Sequence, residues 1–341
     1  MKVLYVIDTL EVGGTEKSLY EICRRFHRAK VVMCHIYSGE HLKPLFEAAG
    51  IPVISLNIPG KYAFLKAAHA VRSIIAQEQP DLLHVALFRA GIVARLATWS
   101  TKFPLIDSFV SDSYSEERKK ALSTVVRWKL MGLWVLDRWT ANRAFRFTAN
   151  SYAVKEANCR ALGVNPEKVQ VIYRGRDPNP FLEAPAGSGG APDRGAPRKP
   201  SGPLVLNVGR LLYLKGQQDL VAAMASVTQK IPKIRLWIAG EGPDRIRLEE
   251  RLREYNLEKV VKLLGTRNDV PRLLQLADIF VFPSYSEGHP GALVEAMFAA
   301  KPIVASDTPF HREIISHQKT GLLVPIKDEA ALANAMVWML R

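Results

Sequence analysis

Glu287 and Glu295 stand eight positions apart in FVFPSYSEGHPGALVEAMFAAKPIVAS, the first in a loop after an apolar run and the second about one turn inside the following helix. Gly288 and Gly291 loosen that loop, so backbone N–H groups can face phosphate oxygens between the two carboxylates. Carboxylates accept hydrogen bonds from hydroxyls, which suits one to a sugar and the other to a ribose diol. Either glutamate can instead complement the positive end of the helix dipole, although that does not account for Glu295 on a largely apolar helix. A second cluster follows the run LVLNV: Gly209, Arg210 and, five residues later, Lys215 with Gly216. A guanidinium and an ammonium at the carboxyl end of a strand suit a diphosphate; a solvated basic loop is the competing reading. Gly13 and Gly14 lie between a strand ending at Ile7 and a helix starting near Thr15. Glycine there lets the backbone approach an anion at a helix start, and a plain tight turn accounts for the pair equally well. No full GxGxxG fingerprint occurs.

The elements that must position these groups are short apolar runs alternating with amphipathic stretches, the pattern of parallel sheets covered by helices. Strands are expected at Val3–Ile7, Val31–Ile36, Pro52–Leu56, Leu82–Val85, Pro104–Ile106, Arg146–Ala149 and Val169–Ile172. A second set follows at Leu204–Val208, Ile234–Ala239, Val260–Leu264, Ile279–Pro283, Pro302–Ala305 and Leu322–Val324. Between the sets, Ala186 to Pro203 holds five Gly and four Pro and no bulky apolar residue, a linker composition. No internal repeat is found.

The chain has 341 residues, long enough for two domains. Lys plus Arg is 47 against 33 Asp plus Glu, a net charge of +14, which favours acidic partners such as phosphates or an anionic membrane surface. Of that surplus, +5 falls between Glu116 and Arg146. Cys23, Cys34 and Cys159 are odd in number and widely spaced, so neither a disulfide framework nor a zinc motif is expected and a reducing cytoplasm fits. The apolar run Val3–Ile7 is too short for a signal peptide. Nothing approaches the roughly 20 apolar residues of a membrane span.

In order along the chain stand VGGTE, QPDLLH, TANSYAV followed by NPEKVQVIYRG, NVGRLLYLKG, IAGEGPD, LGTRNDVPRLLQLADIFVFPSYSEGHPGALVEAM, KPIVASD and TGLLVP. Together they resemble the retaining glycosyltransferases of family 4, over nearly the whole chain. The resemblance implies the GT-B fold, α/β with two Rossmann-like doubly wound domains facing across a cleft. The acceptor-side domain is expected at 1–185, the Gly/Pro-rich linker at 186–203 and the nucleotide-sugar-binding domain at 204–341. A hexosyltransferase is implied that retains anomeric configuration. It would use a nucleotide-diphosphate sugar, UDP- or GDP-linked, as co-substrate without a further cofactor. A glycan or lipid-linked acceptor in cell-surface polysaccharide synthesis is the expected partner.

By the same resemblance Arg210 and Lys215, beside Gly209, hold the diphosphate, Glu295 binds the ribose, and Glu287 sits beside the transferred sugar. Glu287, Arg210 and Lys215 are the expected catalytic set. The backbone of Gly288, His289, Gly291 and Ala292 would contact sugar and phosphates, and Thr266 and Arg267, within Gly265–Asp269, would lie beside the base. Gly14 would sit over the diphosphate from the first domain, with Gly13 and His84 on the acceptor side. No DxD motif occurs, so no metal is expected. Two cations and a helix start would then stabilise the leaving diphosphate, with same-face attack and the departing phosphate taking the acceptor's proton.

Some positions depart from the family. Two positions beyond the His84 of QPDLLH stands Ala86, where many relatives carry a second histidine, and a lone histidine at a strand end is more often structural. Pro309 and Phe310 in TPFHRE replace a frequent Gly-Gly. The chain stops at Arg341, within DEAALANAMVWMLR, where relatives continue into a helix that crosses back onto the first domain; a non-catalytic sugar-nucleotide-binding or scaffold protein is therefore the alternative. Nucleic acid is not an expected partner despite the charge, for lack of a recognisable binding motif. In Arg127–Phe147, Trp128, Met131, Val135 and Trp139 share one helical face. That face is read first as core-facing in the first domain. The alternative is a basic amphipathic helix on an anionic bilayer, which would place the protein in the cytoplasm and peripherally on the inner face of the plasma membrane.

Overall fold

A computed structural model describes residues 1–101, 103–182 and 198–341. The expected linker at 186–203 lies outside the described residues as far as 197. Two compact units form, Met1–Gly175 and Arg176–Arg341, so the division falls ahead of the first-domain end expected at 185. The reason is packing: the short helix Asn179–Leu182 belongs to the second unit, where Phe181 stacks on Phe298 with ring centroids 6.5 Å apart. Composition marks where the chain becomes rich in Gly and Pro, whereas the unit boundary is where it changes partners.

The first unit is built on β1 (Lys2–Ile7), β2 (Lys30–His35), β3 (Val53–Ser55), β4 (Leu82–Ala86), β5 (Leu105–Phe109), β6 (Arg146–Ala149) and β7 (Val169–Val171). The strands pair in parallel in the order β3-β2-β1-β4-β5-β6-β7. Central strands are buried on both faces, as their unbroken apolar runs require. The second unit holds β8 (Leu204–Val208), β9 (Arg235–Ala239), β10 (Val261–Gly265), β11 (Ile279–Phe282), β12 (Ile303–Ser306) and β13 (Leu322–Val324). Their order is β10-β9-β8-β11-β12-β13, again all parallel. All thirteen strands lie where the sequence predicts them, within a few residues at the ends.

Alternation along these strands feeds two cores. Leu204, Leu206, Phe280 and Phe282 pack with Leu273, Leu293 and Ile315 on one face of the second sheet. Val205, Ile279 and Val281 pack with Leu220, Met224, Leu248 and Met336 on the other. Helices cover both faces, as expected for a doubly wound fold.

In the first unit, β4 runs on to Ala86, so His84 sits inside the strand rather than at its end. Its ring lies 4.6 Å from that of Tyr5, its register partner on β1. Nε2 meets Ser108 Oγ at 2.7 Å, and Ser108 meets Thr148 Oγ1 at 2.8 Å, a polar ladder across three strands. Burial holds the imidazole down at about 4, well below its ordinary value.

The helix Thr124–Ala141 differs from the first expectation. Leu130, Asp137, Thr140 and Ala141 are its buried residues, while Trp128, Met131, Val135 and Trp139 are exposed. Asp137 fixes this orientation. Its carboxylate pairs with the fully buried Arg95 of the helix Phe88–Ala97 and accepts from Tyr114 Oη at 2.5 Å. Arg95 Nε also lies 3.6 Å from Asp107 Oδ2. Rolling the helix to hide its tryptophans would take from Arg95 its hydrogen-bonded partner and leave it only the more distant Asp107, at a cost of several kcal/mol. The apolar stripe is therefore held outward.

Because His84 binds a proton less readily in the fold than in the unfolded chain, it contributes stability above about pH 6.5 that is lost as pH falls toward about 4. The urea midpoint should consequently fall less between about pH 7 and about pH 4 in His84→Gln than in the parent chain. Equal falls in the two proteins would show that His84 carries none of the acid sensitivity.

Candidate functional site

In the second sheet the strand order turns at β8, with β9 on one side and β11 on the other. Open α/β sheets bind ligands outside the carboxyl ends of the strands at such a point. The two loops that leave β8 and β11 there carry both chemical clusters read from the sequence.

The first loop leaves β8 through Gly209, whose N–H donates to Ala239 O at 3.0 Å, and the exposed Arg210. Gln217 Nε2 donates to the Arg210 carbonyl at 3.0 Å and to Asn207 Oδ1 at 3.4 Å, while Asn207 Nδ2 donates to Val281 O at 2.8 Å. A 3-10 turn, Tyr213–Lys215, ends at Gly216 with φ +63°. A Cβ there would run into the Pro283 carbonyl. Glycine is thus needed both for the left-handed backbone and for the close approach of the second loop.

The loops are then sewn together. Tyr285 N–H donates to Leu214 O at 2.9 Å, and Ser284 Oγ stands 2.9 Å from the same carbonyl. Glu287 Oε1 accepts from Lys215 Nζ at 2.5 Å and from Ser284 Oγ at 2.6 Å. Lys215 Nζ also stands 5.9 Å above the Phe282 ring. Lys215 and Glu287, 72 positions apart in sequence, thereby form one charge-assisted pair in a partly buried crevice.

Further along the second loop come Gly288, the buried His289 and then the helix Gly291–Phe298, which Pro290 opens and which includes Ala292. Glu295, one turn in, receives Arg176 Nε at 2.9 Å, and both side chains are largely buried. The guanidinium lies against Gly291, where a Cβ would collide with it. A cation at a helix start opposes the dipole, and the Glu295 carboxylate offsets that. Sequence reasoning missed Arg176; its signal was the unusual YRGRDP immediately after β7, which places two arginines where a strand exits.

His311, also missed, lies fully buried beneath the same loops with Nδ1 2.7 Å from Ser306 O and its ring edge-on to Phe282 at 5.5 Å. Burial lowers its pKa, against the opposing field of Glu287. Thr266 and Arg267 follow β10 at the same edge of the sheet, and Arg267 clamps Asp269 through Nε–Oδ1 at 2.7 Å and Nη2–Oδ2 at 2.6 Å. Among the described residues no group of three or more His, Cys, Asp or Glu could hold a metal ion.

The remaining candidates belong to the first unit. The order of its sheet turns at β1. Gly13 in extended conformation caps the helix Gly14–Cys23 that follows, and a Cβ on Gly13 would strike the Glu16 carboxylate. Arg174 donates to Thr15 Oγ1 at 3.2 Å in the same helix start. His84 lies within the neighbouring strand, its Nε2 occupied by Ser108 as described.

The second unit therefore offers two cations at a strand end, a glycine-opened helix start and two carboxylates, a set that can grip a diphosphate and accept from sugar hydroxyls. Comparison with known proteins identifies the family. Residues 12–180 match the family described as Glycosyltransferase Family 4, and residues 193–341 match Glycosyl transferases group 1. The UDP-Gal:alpha-D-GlcNAc-diphosphoundecaprenol alpha-1,3-galactosyltransferase of Escherichia coli is 26% identical over 87% of this chain and 76% of its own. One component of the human phosphatidylinositol N-acetylglucosaminyltransferase is 27% identical over 86% of this chain and 59% of its own. Anabaena Alr3699/HepE, solved in complex with UDP-glucose, is 26% identical with a TM-score of 0.80, covering 98% of this chain and 88% of that one. WaaG, a glycosyltransferase involved in lipopolysaccharide biosynthesis, shares the fold at a TM-score of 0.77 and 16% identity, over 99% of this chain and 90% of its own. With its two halves matching these two models in sequence and folded as two Rossmann-like units, the chain belongs to the group 1 glycosyltransferases of the family 4 type.

Proposed function

We propose that the chain transfers a hexose from a UDP-sugar to a lipid-linked glycan acceptor, with retention of configuration and without a metal, at the cytoplasmic face of a membrane. The observation that carries this reading is the Lys215–Glu287 pair set at the turn of strand order between β8 and β11. A bound diphosphate competes with Glu287 for the Lys215 ammonium. The carboxylate released by that exchange accepts from hydroxyls of the transferred sugar. Arg210 is the second diphosphate cation, and Glu295, steadied by Arg176, takes the ribose diol. Backbone N–H groups between Gly288 and Ala292 face the phosphates at the helix start, and the loop at Thr266 and Arg267 lies beside the base.

Charge developing on the leaving diphosphate is met by Lys215, Arg210 and that helix start, the electrostatic contribution that dominates such reactions. The acceptor hydroxyl attacks from the face the diphosphate leaves, and its proton passes to the departing phosphate oxygen. Gly13 and Gly14 serve the acceptor side and the diphosphate, with residues 1–175 as the acceptor-side domain and 176–341 as the donor domain. His84 supports β4 from within. The UDP-glucose of the Anabaena protein and the UDP-galactose and diphospholipid acceptor named for the E. coli enzyme support the choice of donor and acceptor.

Lys215→Ala should lower kcat/KM on the order of a hundredfold, the loss typical of removing one transition-state donor. Glu295→Ala should weaken UDP binding about tenfold by titration calorimetry, about the worth of one charge-assisted hydrogen bond. Unchanged kinetics and binding in both variants would remove the site as drawn. With a UDP-sugar and a lipid-diphosphate acceptor, NMR should give a product with the donor's anomeric configuration, and chelator should leave the rate unaltered. An inverted product, or a rate abolished by chelator and restored by a divalent cation, would overturn the mechanism.

A further inference from the structure

The donor site uses nothing of the helix Thr124–Ala141, yet this helix carries the most unusual surface of the first unit. Trp128 is 73% exposed and Trp139 61%, with Met131 and Val135 between them on the same face. At about 100° per residue these four stand opposite the buried Leu130, Asp137 and Ala141. Trp99 stacks on Trp139 at 4.5 Å, and the exposed Phe145 extends the apolar area past the helix end. Along the helix and the segment after it, as far as Arg146, every exposed charge is basic. Arg127, Lys129, Arg138, Arg143 and Arg146 are exposed, whereas Asp137, the sole acid between 127 and 146, is buried against Arg95. The Arg143 guanidinium lies 5.0 Å over the Trp99 ring, which places a cation beside the aromatic surface.

From this arrangement we infer that the outward face of Thr124–Ala141, with Trp99 and Phe145, docks on an anionic lipid bilayer. No helix among the described residues is long and apolar enough to cross a membrane, so the helix lies in the interface plane. Tryptophan and methionine enter the boundary between headgroups and acyl chains, and the flanking cations meet anionic headgroups. A second copy of the chain is a poor occupant, because two such faces would set like charges against each other. A bilayer rich in acidic headgroups complements both the apolar stripe and its basic rim. The inference rests on the reading above that the acceptor is lipid-linked, and supplies the surface by which the chain reaches it.

The test is co-sedimentation of the full chain with vesicles of phosphatidylcholine alone or mixed with phosphatidylglycerol, with UDP-induced melting shifts measured on the same samples. The parent chain should bind the mixed vesicles at least about tenfold more tightly than the neutral ones, with binding that falls as salt rises. Trp128→Ser with Trp139→Ser should cut that partitioning about tenfold, and Arg127→Gln with Lys129→Gln should do likewise. Both double variants should keep the parent's response to UDP, which verifies that they fold. Equal binding to the two vesicle types, no binding to either, or full binding by the tryptophan variant would overturn the inference, as would a solution dimer that the tryptophan substitutions dissolve. A chain that responds to UDP but ignores vesicles sinks the docking surface and leaves the transferase standing. Vesicle binding without any UDP response does the reverse.

Discussion

Two neighbouring buried strands send out loops that meet where only a hydrogen atom fits. At Gly216 the backbone turns left-handed against the Pro283 carbonyl, and everything chemical in the second unit depends on that approach. It brings Leu214 O within reach of Ser284 and Tyr285, and it sets Lys215 beside Glu287. The cores on either side of the sheet hold β8 and β11 in register, and the glycine converts that register into a site.

The charges of the site are arranged as pairs in advance. Lys215 is matched by Glu287 and Arg176 by Glu295, each pair joining a residue near one loop to a residue of the next. Partly buried ions of one sign would be costly here, and each pair lowers that cost. The side chains are already held when the ligand arrives, so little conformational entropy remains to be lost.

Much of the fold was legible because central parallel strands buried on both faces, such as Val3–Ile7, Leu204–Leu206 and Ile279–Phe282, read as unbroken apolar runs. The cluster at the ends of β8 and β11 stood out for a related reason: glycines, cations and carboxylates at strand ends have few purely structural uses in that combination. What escaped was set by partners distant in sequence. A stripe of Trp128, Met131, Val135 and Trp139 has the same period whether it faces core or solvent. The choice is made by Asp137, whose partner Arg95 lies 42 positions away. Arg176 was marked locally only by the two arginines after β7, and its partner Glu295 lies 119 positions away. The unit boundary at Gly175 was masked by the Gly/Pro-rich composition further on, which draws attention away from the packing of Phe181.

The buried Arg95–Asp137 pair also bears on how this chain can change over generations. Neutralising Asp137 alone leaves the enclosed guanidinium with only the more distant Asp107 carboxylate, and neutralising Arg95 alone leaves two enclosed carboxylates without their cation. Either step costs about 3–5 kcal/mol, a large part of what holds a domain of this size together. A descendant can therefore exchange the pair only as a unit, or through an intermediate sheltered by gains elsewhere. Two positions far apart in sequence become one inherited character, and the outward-facing tryptophans are inherited with them.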